Sequence, residues 1–374
     1  MVSDQQVDVA IVGGGVIGTA IAYFLSQQGL QAFVIEGTQV AHGASGKAAG
    51  LLSPGLPHYE NAELLEPLLT RSIELHQRFA EVLNGPTTYD YRPYETCLIA
   101  RDDNELTSLH SRASQLNAKP VAPEEIPLRF PWIDRPVAGG LTQQTAQLDC
   151  NKFTHQLVAN ATKLGASVHR ATAVGLLRGE GSIDGVQLED GRVIRAKSTV
   201  IAMGPWSLQA APWLDLPIPV RPLKGQILHL HPLSEAPPGG FSDMAGHYVV
   251  TRPNGLVFAG TTEEEDGFNV ETSERARAHI LSKLAQFTSR LRSMTVVKQT
   301  ACLRPLSGDG LPLIGGISGQ SGIYIATGHG RKGIILSLAT AEAIVQLITQ
   351  GRSSEVDLSS FNPDRFRRGE SHPG

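Results

Sequence analysis

Between Val7 and Gly37 the chain carries an order of residues that leaves few folds open. Val7-Asp8-Val9-Ala10-Ile11-Val12 is a short apolar run of the kind that forms a buried strand. Gly13-Gly14-Gly15-Val16-Ile17-Gly18 follows at once, and Ile17, Ala20, Ile21, Phe24 and Leu25 then recur at helical spacing. Gly29 ends that helix, and Gln31 to Ile35 reads as a second strand ending in Glu36. Each part has a mechanical role in holding a dinucleotide. Gly13 permits the tight turn out of the strand, Gly15 lets the backbone approach a pyrophosphate, and Gly18 lets helix and strand pack closely. The helix start at Val16 and Ile17 offers N–H groups and a partial positive charge to phosphates. Glu36, about twenty residues past the first glycine, is placed to accept from ribose hydroxyls. An acid there repels a 2′-phosphate, which sets NADP behind FAD and NAD. Between those two the motif does not choose.

Composition narrows the class further. A chain of 374 residues has room for two domains, or for one with an inserted lobe. Hydrophobic content of 41% with 18% charged residues is that of a globular protein and excludes a disordered or fibrous one. A net charge of −4 gives no footprint for nucleic acid. Cys97, Cys150 and Cys302 are scattered without metal-ligand spacing, so no metal site is expected and a reducing compartment is. The first strand begins within a few residues of Met1, and no apolar run approaches bilayer-spanning length. The expectation is a soluble, cytoplasmic protein.

Along the chain, Ala44-Ser45-Gly46-Lys47-Ala48-Ala49-Gly50 reads as a second backbone cradle, where small side chains let a flat or phosphorylated ligand lie close. Helices are expected over 61–83, 102–116, 151–164, 272–294 and 334–349. Strands are expected over 91–100, 167–174, 183–188, 192–196, 198–203, 220–230, 247–252, 256–260, 295–304 and 322–326. The stretch 120–136 is proline-rich and expected to be irregular, and Asn254-Gly255 marks a hairpin. Glu263 to Asp266 is expected to be a solvated acidic loop, and the polar tail after Arg352 to be loose. Thr327-Gly328-His329-Gly330-Arg331-Lys332-Gly333 places two cations in a glycine-rich turn before Ile334 and a long apolar helix. Cations are unfavourable at a helix start, so this turn points to an anionic partner.

These stretches together resemble the flavin-dependent D-amino-acid oxidase superfamily, closest to its glycine oxidase branch, over nearly the whole chain. The resemblance rests on Gly13 to Gly18 with Glu36 and Gly37, on Ala44 to Gly50, and on Val200-Ile201-Ala202-Met203-Gly204-Pro205-Trp206. It rests also on Pro222-Leu223-Lys224-Gly225-Gln226, Tyr248 to Arg252, Cys302-Leu303-Arg304-Pro305, Asp309 to Gly315 and Gly328 to Gly333. It implies an α/β fold, with a Rossmann-type FAD-binding domain (1–85, 140–215 and 300–374) interleaved with a strand-rich substrate domain (86–139 and 216–299). It implies FAD, with Val174 touching the adenine through its backbone and the isoalloxazine reaching toward Gly328–Gly333. Arg304 matches the arginine that pairs with the substrate carboxylate, Tyr248 a tyrosine that hydrogen-bonds it, and Arg331 a second arginine near the flavin edge.

Physical chemistry supports such roles, since arginine grips a carboxylate through two parallel, charge-assisted hydrogen bonds. Two positions depart from glycine oxidase: Gly330 replaces an aromatic and Lys332 an asparagine. Gly-His-Gly with a following lysine is more similar to monomeric sarcosine oxidase, where that lysine binds the carboxylate. Cys302 stands where that enzyme's cysteine is bonded to flavin, although the expectation for this chain is non-covalent FAD. The expected activity is oxidation of glycine, sarcosine or small D-amino acids, with O2 reduced to hydrogen peroxide. A dehydrogenase serving a quinone or protein acceptor, and a non-catalytic dinucleotide sensor, are the rivals. The resemblance admits a homo-oligomer, and a role in thiamine supply or in catabolism.

Overall fold

A computed structural model describes residues 5–53, 61–114 and 116–367. In its first half the strands are β1 (Gln5–Val12), β2 (Ala32–Glu36), β3 (Arg92–Ala100), β4 (Lys119–Val121), β5 (Gly139–Gln147), β6 (Ser167–Arg170), β7 (Ala173–Arg178) and β8 (Ile183–Leu188). Then follow β9 (Val193–Ile201), β10 (Val220–His231), β11 (Gly240–Asp243), β12 (Tyr248–Thr251), β13 (Val257–Gly260), β14 (Thr295–Ser307), β15 (Leu313–Ile317) and β16 (Gln320–Thr327). The longer helices are α1 (Val16–Gln27), α2 (Glu66–Val82), α3 (Asp103–His110), α4 (Cys150–Lys163), α5 (Glu274–Leu284) and α6 (Ser337–Gln350).

The strands form two sheets, and the fold is mixed α/β as expected. The first has the order β15-β16-β9-β1-β2-β6, with the β7–β8 hairpin attached through β8 to β9. Its centre is parallel: β1 pairs with β2 on one side and β9 on the other. Val9 and Ile11 of β1 face a core built with α1, α2, α4 and α6, and Val7, Ala10 and Val12 face a second core beneath. Burial on both faces is why this strand reads as a continuous apolar run rather than an alternating one. The second sheet, β14-β10-β13-β12-β11-β3-β5-β4, is antiparallel except where β11 meets β3. Trp132, Phe241, Phe287 and Ile280 of α5 fill its far side.

Several boundaries differ from the sequence expectation, each for a tertiary reason. The two strands expected over 192–203 are one, β9, because β8 pairs with its first half and β16 with its second. The strand expected over 167–174 is broken between β6 and β7, which leave β2 for β8. The helix expected to run to Leu116 stops at His110, and that over 272–294 is α5 followed by a separate turn at Arg290–Ser293. Within the proline-rich 120–136 stretch, β4 ends at Val121 and one helical turn forms at Ile126–Arg129. The tail after Arg352 docks: Phe361 is buried, and Arg365 pairs with Asp309 at 2.7 Å. Residues 368–374 of that tail lie outside the described residues. No described helix is long and apolar enough to cross a membrane.

Candidate active site

A cavity of about 710 Å³ runs from the β1–α1 turn to the inner face of the second sheet. At one end Gly13, Gly15, Val16, Ile17, Glu36 and Gly37 form its wall. Gly13 has φ +119°, and a Cβ there would sit 2.2 Å from the Ala202 carbonyl oxygen. A Cβ on Gly18 would sit 2.0 Å from the Gly13 carbonyl oxygen, so this glycine serves the contact of helix with strand and lies off the wall. Glu36 is held in place: Oε2 accepts from the Gly14 N–H at 2.7 Å, and Oε1 from the Thr38 N–H at 2.9 Å. Ala44, Ser45, Ala48, Ala49 and Gly50 supply the next stretch of wall, with the Val16 N–H donating to Ser45 Oγ at 2.9 Å. Gly204 and Trp206 close one side, and Trp206 stacks on Phe268 with ring centroids 5.8 Å apart.

At the other end three glycines, Gly225 of β10, Gly260 of β13 and Gly246 in the turn between β11 and β12, each lie beneath a larger side chain. The Arg304 guanidinium covers Gly225, where a Cβ would meet Nη2 at 2.1 Å. The Tyr248 ring covers Gly260, and the Arg331 guanidinium covers Gly246. Arg304 is 9% exposed; Nη1 donates to the Thr262 carbonyl at 3.1 Å and Nη2 to Thr261 Oγ1 at 2.8 Å. Among the described residues no carboxylate forms an ion pair with it. Arg331 pairs with Glu263, Nε to Oε1 at 2.6 Å. Lys332 is buried and its Nζ donates to the Ser53 carbonyl at 2.6 Å.

Burial dominates the proton equilibria here. Lys332 is pushed down to about 7 by burial, with Arg331 adding to the shift. His329 is pushed down to about 3 by burial and sits 3.1 Å from Thr340 Oγ1, so it is a neutral imidazole tied to α6. Burial raises the Tyr248 hydroxyl well above its ordinary value against the pull of Arg304. It also raises the Cys302 thiol, which stands on the cavity wall, against Arg304 and Lys47.

The protein-family model for FAD dependent oxidoreductases matches residues 8–347. The chain belongs to that family. Glycine oxidase from Pseudomonas putida is 26% identical over 365 residues, 95% of this chain and 98% of that protein. A D-amino acid dehydrogenase from a Methylobacterium species is 26% identical over 419 residues, 96% of this chain and 99% of the relative. The crystal structure of glycine oxidase from Geobacillus kaustophilus superposes with a TM-score of 0.90 at 23% identity, covering 98% of this chain and all of that one. The protein is therefore an FAD-dependent oxidoreductase.

The residues of this flavoenzyme fit its cofactor. Gly15 leaves only backbone between the α1 start and the cavity, since a Cβ there would point to Ser45 Oγ at 3.1 Å. One cavity is lined both by Glu36 and by His329, Gly330, Arg331, Lys332, Gly333 and Ile334. Four residues expected at the site are off its wall: Gly18, Lys47, Val174 and Gly328. Val174 is 47% exposed on β7, and its neighbours Ala171, Thr172 and Ala173 line the cavity instead. Arg331 and Lys332 sit in a tight turn at Gly330–Lys332, whereas α6 begins only at Ser337, so they do not crowd its N-terminus. The acidic run is largely exposed, as expected, and is also paired: Glu263 with Arg331, Glu265 with Arg221, and Asp266 with Lys224. It returns along β10, where Glu264 and Lys224 exchange backbone hydrogen bonds. Sequence reasoning missed Thr261, Thr262, Glu263 and the Gly246 and Gly260 platforms. Their signal is the side chain lying over or beside them, which no sequence pattern displays.

Proposed function

We propose that this flavoenzyme oxidises the amine of a small amino acid (glycine, sarcosine or a D-amino acid) to the imine. The imine hydrolyses to an oxo acid and ammonia or methylamine, with O2 as final acceptor giving hydrogen peroxide. The single observation that carries the reading is Arg304, a buried guanidinium on the cavity wall with no carboxylate partner among the described residues. A buried charge of this kind is costly unless a counter-ion completes it, and a substrate carboxylate does so. On this reading the first sheet and the segments packed on it carry the cofactor through Gly13, Gly15, Val16, Ile17, Glu36, Gly37, Ala44, Ser45, Ala48, Ala49 and Gly50. The second carries the substrate.

FAD bound there supplies the two-electron acceptor. The chain's own part is orientation. Arg304 fixes the carboxylate, and Tyr248, protonated throughout the neutral range, donates its hydroxyl to the same group. Arg331, anchored by Glu263, borders the same space. Burial holds the proton affinity of His329 far down and its Nε2 is engaged with Thr340 Oγ1, which argues against a base at that position. The buried, protonated Cys302 is a poor nucleophile, which favours FAD held without a covalent bond. The similarity to glycine oxidase suggests glycine among the substrates, and that to a D-amino acid dehydrogenase keeps a quinone or protein acceptor as the rival. A reducing, cytoplasmic setting agrees with three unpaired, buried cysteines.

The test is an anaerobic absorbance spectrum of purified protein, with glycine, sarcosine, D-alanine and D-proline added in turn. Bleaching of the flavin band by one of them, reversed by air with release of peroxide, is the expected result. Bleaching that air does not reverse, but a quinone does, favours the dehydrogenase. Arg304→Ala should raise the substrate concentration needed at least a hundredfold while FAD stays bound. Unchanged substrate affinity in that variant removes the carboxylate role.

A further inference from the structure

Of the acidic run from Glu263 to Asp266, Glu263 is the residue that reaches the cavity wall. It follows Thr261 and Thr262, whose hydroxyl and carbonyl hold the Arg304 guanidinium. Its own carboxylate holds Arg331, Oε1 accepting from Nε at 2.6 Å. The two arginines line one cavity but differ in charge balance. Arg331 has a counter-ion within the chain, whereas Arg304 pairs with no carboxylate among the described residues.

Strand register fixes how far apart they stand. Ile227 of β10 is registered with Gly260 of β13, and Gly260 with Tyr248 of β12. Gly225 and Gly246, which lie under the two guanidiniums, each precede that row by two residues on segments running the same way. Two strand spacings of about 4.8 Å therefore set Arg304 and Arg331 about 10 Å apart, with the Tyr248 ring over the strand between. An acid gripped by each arginine, at about 2.8 Å from nitrogen to oxygen, leaves a gap that a spacer of two or three carbons crosses. A second acid arriving at Arg331 meets the Glu263 carboxylate within a few ångströms. The pair is only part-buried, 23% exposed at Arg331 and 44% at Glu263. Like charges that close still lie well inside the screening length of about 8 Å at physiological ionic strength. Specificity arises from such built-in repulsion as much as from attraction to the right ligand.

We propose that Glu263 sets the charge class of the substrate. By occupying Arg331 it restricts the site to amino acids with a single carboxylate, and it turns away those with a second acid on the side chain or the nitrogen. The proposal rests on the reading above that Arg304 holds the substrate carboxylate, because that contact sets where a second acid falls.

The test uses the FAD-loaded protein and titrates acetate, succinate and glutarate by calorimetry. Glu263→Gln should tighten succinate and glutarate at least ten times more than acetate. Glu263→Met, which also removes the hydrogen bond to Arg331, should do the same, so a folding defect in one variant leaves the other to decide. Adding Arg331→Met to Glu263→Gln should abolish the gain, since the two residues then act as one unit. A gain that persists without Arg331 overturns the proposal. So does a ratio of diacid to acetate affinity that neither Glu263 variant changes, while Arg304→Ala still weakens acetate. If Arg304→Ala leaves acetate unaffected, the carboxylate reading falls and the proposal falls with it. In turnover, the parent should favour D-alanine over D-aspartate by at least tenfold in kcat/KM, and Glu263→Gln should narrow that ratio at least tenfold. A parent that prefers D-aspartate overturns the proposal.

Discussion

Lys332 is the residue at which burial and charge conflict most directly. Its ammonium is enclosed, donates to the Ser53 carbonyl, and has its proton affinity pushed down to about 7 by burial and by Arg331. Below pH 7 the group is charged in both folded and unfolded chains, and burial penalises the folded one. Between pH 7 and the ordinary lysine value of 10.5 the folded chain has released a proton that the unfolded chain keeps, so stability rises with pH across that window. Lys332→Met removes this dependence. In urea unfolding of FAD-free protein, the variant should compare best with the parent at pH 6 and lose that advantage steadily toward pH 9. A difference between the two that does not vary with pH would show that the lysine is not held neutral. At this scale legibility was uneven. Arg304, Tyr248 and Lys332 could be singled out because their chemistry belongs to the residue type. Gly246 and Gly260 could not, because their contribution is the space each leaves for a side chain brought from another element.

At the scale of elements, Arg252 links the strand β12 to the cradle beside it. Its Nη1 donates to the Ala49 carbonyl at 3.0 Å and to Gln147 Oε1 at 2.7 Å, and its Nη2 to the Leu148 carbonyl at 2.7 Å. Its guanidinium also lies 5.1 Å from the centre of the Phe258 ring. The Ala49–Gly50 wall of the cavity is thereby tied to the second sheet. Arg252→Met keeps much of the bulk but leaves three buried acceptors without their donor, a loss of about 3 kcal/mol or more. Denaturant unfolding should show that loss, and FAD affinity should fall at least tenfold. An unaltered FAD affinity in a destabilised variant would confine Arg252 to a purely structural role. Elements with a strong local signal, the unbroken apolar run of β1 or the periodicity of α1, α4 and β8, were readable from sequence. The short strands β11 and β15 were not, since strands of four and five residues acquire their identity from their partners. The start of α6 was misplaced for a related reason: the apolar residues Ile334, Ile335 and Leu336 are buried but precede the helix.

At the scale of the molecule, the cavity is shared by both sheets, so whatever fills it stabilises their arrangement as a whole. The α/β class and the candidate dinucleotide site were legible because the β1–α1–β2 unit concentrates its signal in about thirty residues. The second sheet was legible only in pieces, because its order joins β14 to β10 and β11 to β3 across long stretches of sequence. If the cofactor spans this cavity, its binding energy must appear in global unfolding. A ligand at a hundred times its dissociation constant adds about 2.7 kcal/mol to a two-state transition. For a chain of this length that corresponds to a rise of about 3 °C in Tm. FAD-free protein should therefore melt lower than the same protein with FAD at that excess, in one transition, with the full spectroscopic amplitude moving together. If Glu36, held against the Gly14 N–H, meets the ribose, it repels a 2′-phosphate and NADP should give no rise at equal concentration. A rise with NADP as large as that with FAD would displace Glu36 from its ribose role. A split transition, in which FAD moves only part of the amplitude, would show that the ligand is held by the first sheet alone.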